Sequence, residues 1–504
     1  MLTGTTLLQF FVATAATFIL LIIFFKRRYS YWKNRSIEYV EPTIPFGNFK
    51  DNFTEKTSFG DCFAEFYSTV KKRKVPYAGC YLLTAPIFVP MDLDLIKRIM
   101  TTDFAHFTDH RSYVNEKDDP LSAHIFALSG QRWRDLRIKL TPTFTSGKMK
   151  LMFPIMTKIS RELIATLNEE YLTGPVDAKD ISARFTTDVI GNCAFGIECN
   201  SLKDPNTEFR IKGKRLINLT RFENIIIFLG MTFPNLMKFL GAPFFPKEAT
   251  QFFLNITRDT TQYREKNRIR RNDALQLLID MMRKDGDEND SGLTFNELAA
   301  QAFVFFLAGF ETSSTLMSFV LYELAIHEDH QNQLRKEVNE ILRENNGEIT
   351  YDSLLQMRFM DMVINEALRK YPPIAVLTRV CTKDYQVPHS DITLRKGDEL
   401  FISTKGIHYD PEYYLDPEKF DPFRFSEENK RKRHQFAFLP FGEGPRICIG
   451  LRFGLMQAKV GLASLIANFK FKLNPQTETP VKMDPKNFLT SALGGLWLDI
   501  EKIN

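Results

Sequence analysis

No aspartate, glutamate, lysine or arginine occurs in the first 25 residues of this 504-residue chain, and cysteine is scarce along all of it. The six cysteines are irregularly spaced, with no Cys-x-x-Cys pair and no Cys/His ladder. A disulfide framework and a structural zinc site are thereby excluded, and reduced thiols facing a cytosol-like milieu are implied. No internal repeat and no low-complexity segment is present, which excludes solenoid and fibrous architectures. Surplus charge is missing from most of the chain as well. The formal net charge is +5, and Lys26, Arg27, Arg28, Lys33 and Arg35 account for it: removing those five from the 66 lysines and arginines leaves 61, equal to the 61 acids. A neutral body lacks the electrostatic footprint of nucleic-acid binding.

What the N-terminus has instead is a mostly apolar run, Leu7 to Phe25, long enough to cross a bilayer as a helix. Its positive charge follows the apolar core rather than preceding it, which opposes a cleaved signal peptide and predicts an uncleaved anchor with the rest of the chain cytosolic. The basic cluster then sits where anionic head groups attract it. Residues 1–25 read as the anchor, 26–50 as a basic linker stiffened by Pro42 and Pro45, and 51–504 as one large body.

Within the body, Tyr81 to Met91 predicts a hairpin around Pro86, and Asp92 to Met100 has helical spacing. Helical patterns dominate from Gln131 to Leu342. Strand signals return between Val380 and Ser403 and from Leu489 to Ile500, with a tight turn at Gly494 and Gly495. The fold class is mainly α with a smaller β portion. A body this long with no linker exceeds the usual size of a single core, about 250–300 residues, so a large buried prosthetic group is an expected organiser. Ile225 to Phe253 is aromatic-rich but broken by Pro234, Pro243 and Pro246. It is too interrupted to span a bilayer, and reads either as a shallow membrane contact beside a substrate entrance or as core helix packing.

The densest chemistry is in Phe441 to Gly450, FGEGPRICIG. Gly442 and Gly444 permit a tight turn, and the helical pattern that follows puts Cys448 at a helix N-terminus. Converging amides and a positive helix end are expected to lower a thiol pKa, giving a nucleophile or a metal ligand. A nucleophile needs a base, and the nearest histidine in sequence, His434, lies in the solvated run NKRKRH. One cysteine with no companion ligands suits haem iron. Cys62, Cys80, Cys193, Cys199 and Cys381 are expected to be small buried hydrophobes.

Phe441, Gly444, Arg446, Cys448 and Gly450 together match F-x-x-G-x-R-x-C-x-G, and the chain resembles the cytochrome P-450 monooxygenases over nearly its whole length. The other marks of that family stand in order: Trp133 and Arg137 as W-x-x-x-R, Ala308 to Thr312 as AGFET, Glu366 and Arg369 as E-x-x-R, and Asp421 to Phe425 as DPFRF. NEKDDPLSAHIF and LTPTFTSGKMK are similar to insect microsomal members of the sixth family. The resemblance implies a cytochrome P-450 fold around a buried haem b, preceded by a transmembrane helix, on the cytosolic face of the endoplasmic reticulum.

By the same resemblance, Cys448 is the axial thiolate, and Trp133, Arg137, Arg379, Phe441 and Arg446 hold the haem, with His110 a further propionate contact. The capping box Thr294-Phe-Asn-Glu297 predicts a helix running to His327. On it Ala308 and Gly309 are small, leaving space for dioxygen, while Thr312 can bond the carbonyl four residues back and open the helix. Glu311 and Thr312 resemble the family's proton-delivery pair. Glu366, Arg369 and Arg424 are the implied fastening of the cysteine loop. The implied substrate pocket draws on Leu121, Phe126, Phe303, Ala308, Ile374, Val376 and Thr490, a mostly apolar lining.

The implied activity inserts one atom of dioxygen into a lipophilic substrate, such as a plant toxin or insecticide, with electrons from NADPH through NADPH-cytochrome P-450 reductase and cytochrome b5 as a further partner. Endogenous lipid or hormone oxidation, a reductase-independent haem-thiolate isomerase and a haem sensor remain alternatives. Lys430, Arg431, Lys432 and Arg433 read either as a docking face for the acidic reductase or as a solvated charge run.

Overall fold

The computed structural model describes residues 4–170, 174–218, 220–282 and 292–503. Helices dominate, and three small sheets flank them. The helices that matter to the site are α1 (Gly4–Tyr29), α2 (Gly130–Leu140), α3 (Ser146–Glu170), α4 (Ala178–Ile190), α5 (Arg221–Thr232), α6 (Pro234–Phe239), α7 (Phe295–Ile326), α8 (Arg358–Lys370) and α9 (Leu451–Asn468).

The first sheet has the order β1-β2-β7-β4, with β1 (Tyr77–Leu82), β2 (Ala85–Pro90), β4 (Val376–Val380) and β7 (Glu399–Ser403). Its β2–β7 pair is parallel and the others antiparallel. The hairpin starts earlier than expected and turns at Leu83, whose φ is 50°, rather than at Pro86. Pro86 lies inside β2 opposite Tyr81. It is tolerated because the parallel ladder to β7 uses only Ile87 and Phe88, so the missing N–H costs no sheet hydrogen bond. β3 (Val176–Asp177), β9 (Trp497–Lys502) and β8 (Phe469–Leu473) form the second sheet, in the order β3-β9-β8. β9 begins only after Gly494 and Gly495, both at φ above 80°, so Leu489 to Leu496 is turn and loop where a strand was expected. β5 (Tyr385–Gln386) and β6 (Thr393–Leu394) make the third.

α7 is the axis of the largest core. Its capping box is made as expected, with Thr294 Oγ1 accepting the Glu297 amide and the Glu297 carboxylate accepting the Thr294 amide. Its 32 residues span about 48 Å at ~1.5 Å per residue. α7 is long and apolar enough to cross a membrane, but most of it is buried within the domain. α1 passes the same test with its span facing away from the rest of the protein, which fits an anchor. Residues 1–3, where the expected anchor starts, lie outside the described residues.

The segment after α1 is docked rather than free: Trp32, Ile37 and Phe49 are buried, and Trp32 Nε1 donates to the Cys80 carbonyl at 3.0 Å. Arg35 pairs with Asp398 at 2.8 Å, and Tyr31 donates to the same carboxylate at 2.6 Å. One of the five basic residues expected to face lipid is therefore spent on the β-sheet end of the domain. Lys26, Arg27 and Arg28 sit in the last turn of α1.

Candidate functional site

Two glycines shape the cysteine loop. Gly442 and Gly444 take φ values of 70° and 74°, and a Cβ on Gly444 would lie 1.8 Å from the Met100 carbonyl oxygen, so only glycine fits there. The Cys448 amide donates to the Phe441 carbonyl at 2.9 Å, closing the loop just ahead of α9. The five other cysteines are buried, as expected; Cys448 alone has open surface, although it lies deep in the fold, so its sulfur faces an interior space. Burial pushes its thiol up, while the Gly450 amide and the Arg137 guanidinium pull it down. The expected lowering is thus reversed in the protein alone: a helix end and one half-buried arginine do not offset the loss of solvent. A metal held by Cys448 would supply the missing positive charge and favour the thiolate.

Around this loop is an excess of buried positive charge. Arg379 is 1% exposed, donates to its neighbour's carbonyl at Thr378, and leaves its Nε without a partner. Burial holds it down to about 10. Burial likewise brings Arg446 down to about 9; Asp109 at 3.7 Å opposes this, and Arg379 and Arg137 add to it. Arg446 stacks on the Trp133 ring at 3.8 Å and donates to the carbonyls of Thr108, Ile125 and Leu128, so it also binds the loop to the 108–128 segment. Arg137 on α2 donates to the Ile447 carbonyl at 2.8 Å, one residue from the thiol. Three arginines held below their ordinary value, one with an orphaned donor, are a fit for buried carboxylates such as haem propionates.

His110 differs from them. Burial, then Arg379 and Arg446, push it well down, so the ring is neutral. Its Nδ1 lies 3.0 Å from the Thr378 carbonyl and 3.4 Å from Arg379 Nη1. The ring stacks on Phe126 at 4.5 Å.

In the middle of α7, four successive carbonyls accept side-chain donors. Ala308 takes Thr312 Oγ1 at 2.6 Å, Gly309 takes Gln457 Nε2 at 3.2 Å, Phe310 takes Thr186 Oγ1 at 2.8 Å, and Glu311 takes Ser314 Oγ at 2.9 Å and Lys179 Nζ at 3.2 Å. Such competition with the i→i−4 ladder loosens a helix locally. Ala308 carries open surface between partly buried Leu307 and Gly309. A Cβ on Gly309 would come 2.9 Å from Ile190, so its smallness lets α4 pack on α7. Glu311 is buried and paired to Lys179 at 2.8 Å, a partner with no signal in the sequence.

The E-x-x-R pair is a bidentate bridge with both Glu366–Arg369 distances at 2.8 Å and both residues fully buried. Arg369 also donates to the carbonyls of His408 and Lys419, and Glu366 accepts the Asp421 amide at 2.9 Å. Arg424 reaches Glu366 at 3.4 Å and donates to the Asp416 carbonyl. Sequence reasoning missed His408, which bonds both Arg369 and Leu439, and Tyr414, whose hydroxyl donates to the Ala437 carbonyl at 2.9 Å. These contacts couple α8 to the start of the cysteine loop.

Of the expected pocket residues, Phe126 and Ala308 are exposed within the fold and Ile374 is partly so; Leu121, Phe303 and Val376 are covered. Phe303 packs edge-on to Phe245 at 4.8 Å and Phe253 at 5.2 Å. Thr490 fixes its loop by donating to the Pro372 carbonyl at 2.6 Å. Arg433 is wedged over the rings of Tyr414 and Phe425 at 4.6 Å, while Lys430 and Lys432 pair with Glu427 and Glu428. The basic run is therefore partly neutralised and partly structural.

A family model described as Cytochrome P450 matches residues 46–498. The chain is 45% identical over 489 residues to "Probable cytochrome P450 6a23" of Drosophila melanogaster, covering 96% of this chain and 97% of that one. It is 44% identical over 494 residues to "Cytochrome P450 6A1" of Musca domestica, covering 96% of each. To "Cytochrome P450 6k1" of Blattella germanica it is 38% identical over 518 residues, covering 99% of this chain and 98% of that one.

Proposed function

The chain belongs to the cytochrome P450 family, and from that membership we propose a haem-thiolate monooxygenase of the endoplasmic reticulum that oxidises lipophilic compounds, plant toxins and insecticides among them, with electrons from NADPH through a membrane-bound reductase. The observation that carries the reading is Cys448: a thiol open to the interior of the fold, on a glycine-shaped loop beside buried Arg379 and Arg446 and half-buried Arg137.

Haem bound at Cys448 supplies the reductive activation of dioxygen. The chain's own residues do the rest. Cys448 grips the metal, and Arg137, Arg379 and Arg446 balance the negative charge that enters with the propionates. The Glu366–Arg369–Arg424 cluster and His408 hold the loop that carries the sulfur. Thr312 Oγ1 engages the Ala308 carbonyl and stands where a proton can be passed into the space beside Ala308, with the Glu311 carboxylate as the neighbouring acid. The apolar residues about Phe126 and Ile374 favour substrates with little charge. Exposed Phe222, Phe233, Leu236, Phe239 and Leu240, on α5 and α6 and at their C-terminal ends, offer apolar surface suited to shallow contact with the bilayer that α1 enters.

The test is spectroscopic and chemical. Reduced, carbon-monoxide-treated protein is expected to show the Soret band of thiolate-ligated haem, lost in Cys448→His, and reductase with NADPH is expected to yield oxygenated product from apolar compounds. A histidine-type spectrum in the unaltered protein would sink the proposal.

A further inference from the structure

Lys179 occupies an unfavourable place for a cation, the first turn of α4, where the helix dipole is positive. Asp177 caps that turn by accepting the Lys179 amide at 3.0 Å, and it also accepts the Leu496 amide, tying α4 to the C-terminal turn. The side chain then runs to α7. Its ammonium lies 2.8 Å from Glu311 Oε1, from Ser314 Oγ and from Thr315 Oγ1, and 3.2 Å from the Glu311 carbonyl. Four oxygens thus meet three N–H donors, and Ser314 and Thr315 are fully buried. A surface tie does not need such a cage. On the other side, Lys179, Thr315 and Ser318 face Thr490 and Ser491 across a partly open cavity of about 210 Å³. That is room for roughly seven waters at ~30 Å³ each, beside enough polar groups to hold them.

We propose that Lys179 is a positioning residue for Glu311: it keeps the carboxylate charged and fixed in place, and stands between that carboxylate and a hydrated cavity from which Glu311 takes up protons. The inference rests on the monooxygenase reading for its catalytic meaning, but its physical content does not. A buried carboxylate that loses its only cationic partner relieves the cost by taking a proton.

The experiment uses the full-length ferric protein and its Lys179→Gln, Lys179→Met, Lys179→Arg and Glu311→Gln variants, with the Lys179→Gln/Glu311→Gln double. Infrared difference spectra at neutral pH are expected to show a carboxylic C=O band in Lys179→Gln that is missing from the unaltered protein, from Lys179→Arg and from the double variant. In turnover, the share of electrons lost to peroxide is expected to rise severalfold in Lys179→Gln and to return to the unaltered level in Lys179→Arg. Lys179→Met carries the same test if Lys179→Gln does not fold. No carboxyl band and an unchanged peroxide share would overturn the assignment and leave Lys179 a fastener between helices. The infrared measurement needs no turnover, so a protein that oxygenates nothing counts against the monooxygenase reading while the band still decides on Lys179.

Discussion

Nε2 of His408 accepts the Leu439 amide at 2.9 Å, while its Nδ1 donates to the Arg369 carbonyl at 3.1 Å. One neutral imidazole therefore links the buried Glu366–Arg369 bridge to the strand of chain that enters the cysteine loop. Both bonds require that tautomer, because a protonated ring has no acceptor for the Leu439 amide.

Burial, then the Arg369 charge, holds His408 down to about 3 against an ordinary 6.5. Between those values the unfolded chain binds a proton that the native ring refuses. This contribution to stability is full above pH 6.5 and is lost as pH falls toward about 3. His408→Ala is expected to cost on the order of 2–4 kcal/mol, from the lost side-chain volume and the unpaired Leu439 amide, and to weaken haem retention. Thermal unfolding as a function of pH, with haem content measured beside it, checks both. An acid limb no shallower in the variant would contradict the tautomer.

Asp119 joins two segments far apart in the chain. Its Oδ2 accepts the amides of Phe244 and Phe245 at 3.0 and 2.9 Å, and burial raises its carboxyl to about 6. For an acid raised above its unfolded value of 3.8, the native state binds the extra proton, so this contribution to stability declines as pH rises through about 6. Asp119→Asn should flatten that decline and speed hydrogen exchange at the Phe244 and Phe245 amides. Unchanged exchange would show that the carboxylate does not tether the loop.

Thr312 Oγ1 bonds the Ala308 carbonyl at 2.6 Å, and no aliphatic side chain reproduces that bond. Thr312→Ala is expected to raise peroxide released per product formed, while Thr312→Ser, which keeps a hydroxyl, stays close to the unaltered protein. Equal coupling in all three would remove Thr312 from proton delivery.

Membrane attachment is expected to have two parts. Deleting residues 1–28 should leave a fraction of the protein bound to vesicles through α5 and α6, and adding Phe239→Ser with Leu240→Ser should release it, because those side chains are 87% and 62% exposed. Co-sedimentation with vesicles measures each step. Full release by the deletion alone would assign attachment to α1 only.

Much of the site was legible because its signals are local. Cys448 and its glycines, the capping box at Thr294 and the i,i+3 spacing of Glu366 and Arg369 are each set by a few neighbouring residues, and each takes the conformation its spacing predicts. The hairpin boundary and β9 were less legible. Proline and strand-forming residues gave the right element types, but the ladder partners that decide where a strand begins lie far along the chain.

Sequence by itself determined that one cysteine stands apart from five buried ones, that a long capped helix precedes its loop and that an apolar helix precedes the whole. Tertiary structure alone decided the charge environment. The thiol is pushed up rather than down, Gly309 lets α4 pack on α7, His110 is pushed well down, Arg35 is spent on Asp398, and Glu311 is paired with Lys179. The reason is physical: desolvation and ion pairing depend on what surrounds a group in space, and those neighbours, 132 residues away for Lys179 and Glu311, leave no mark in local spacing.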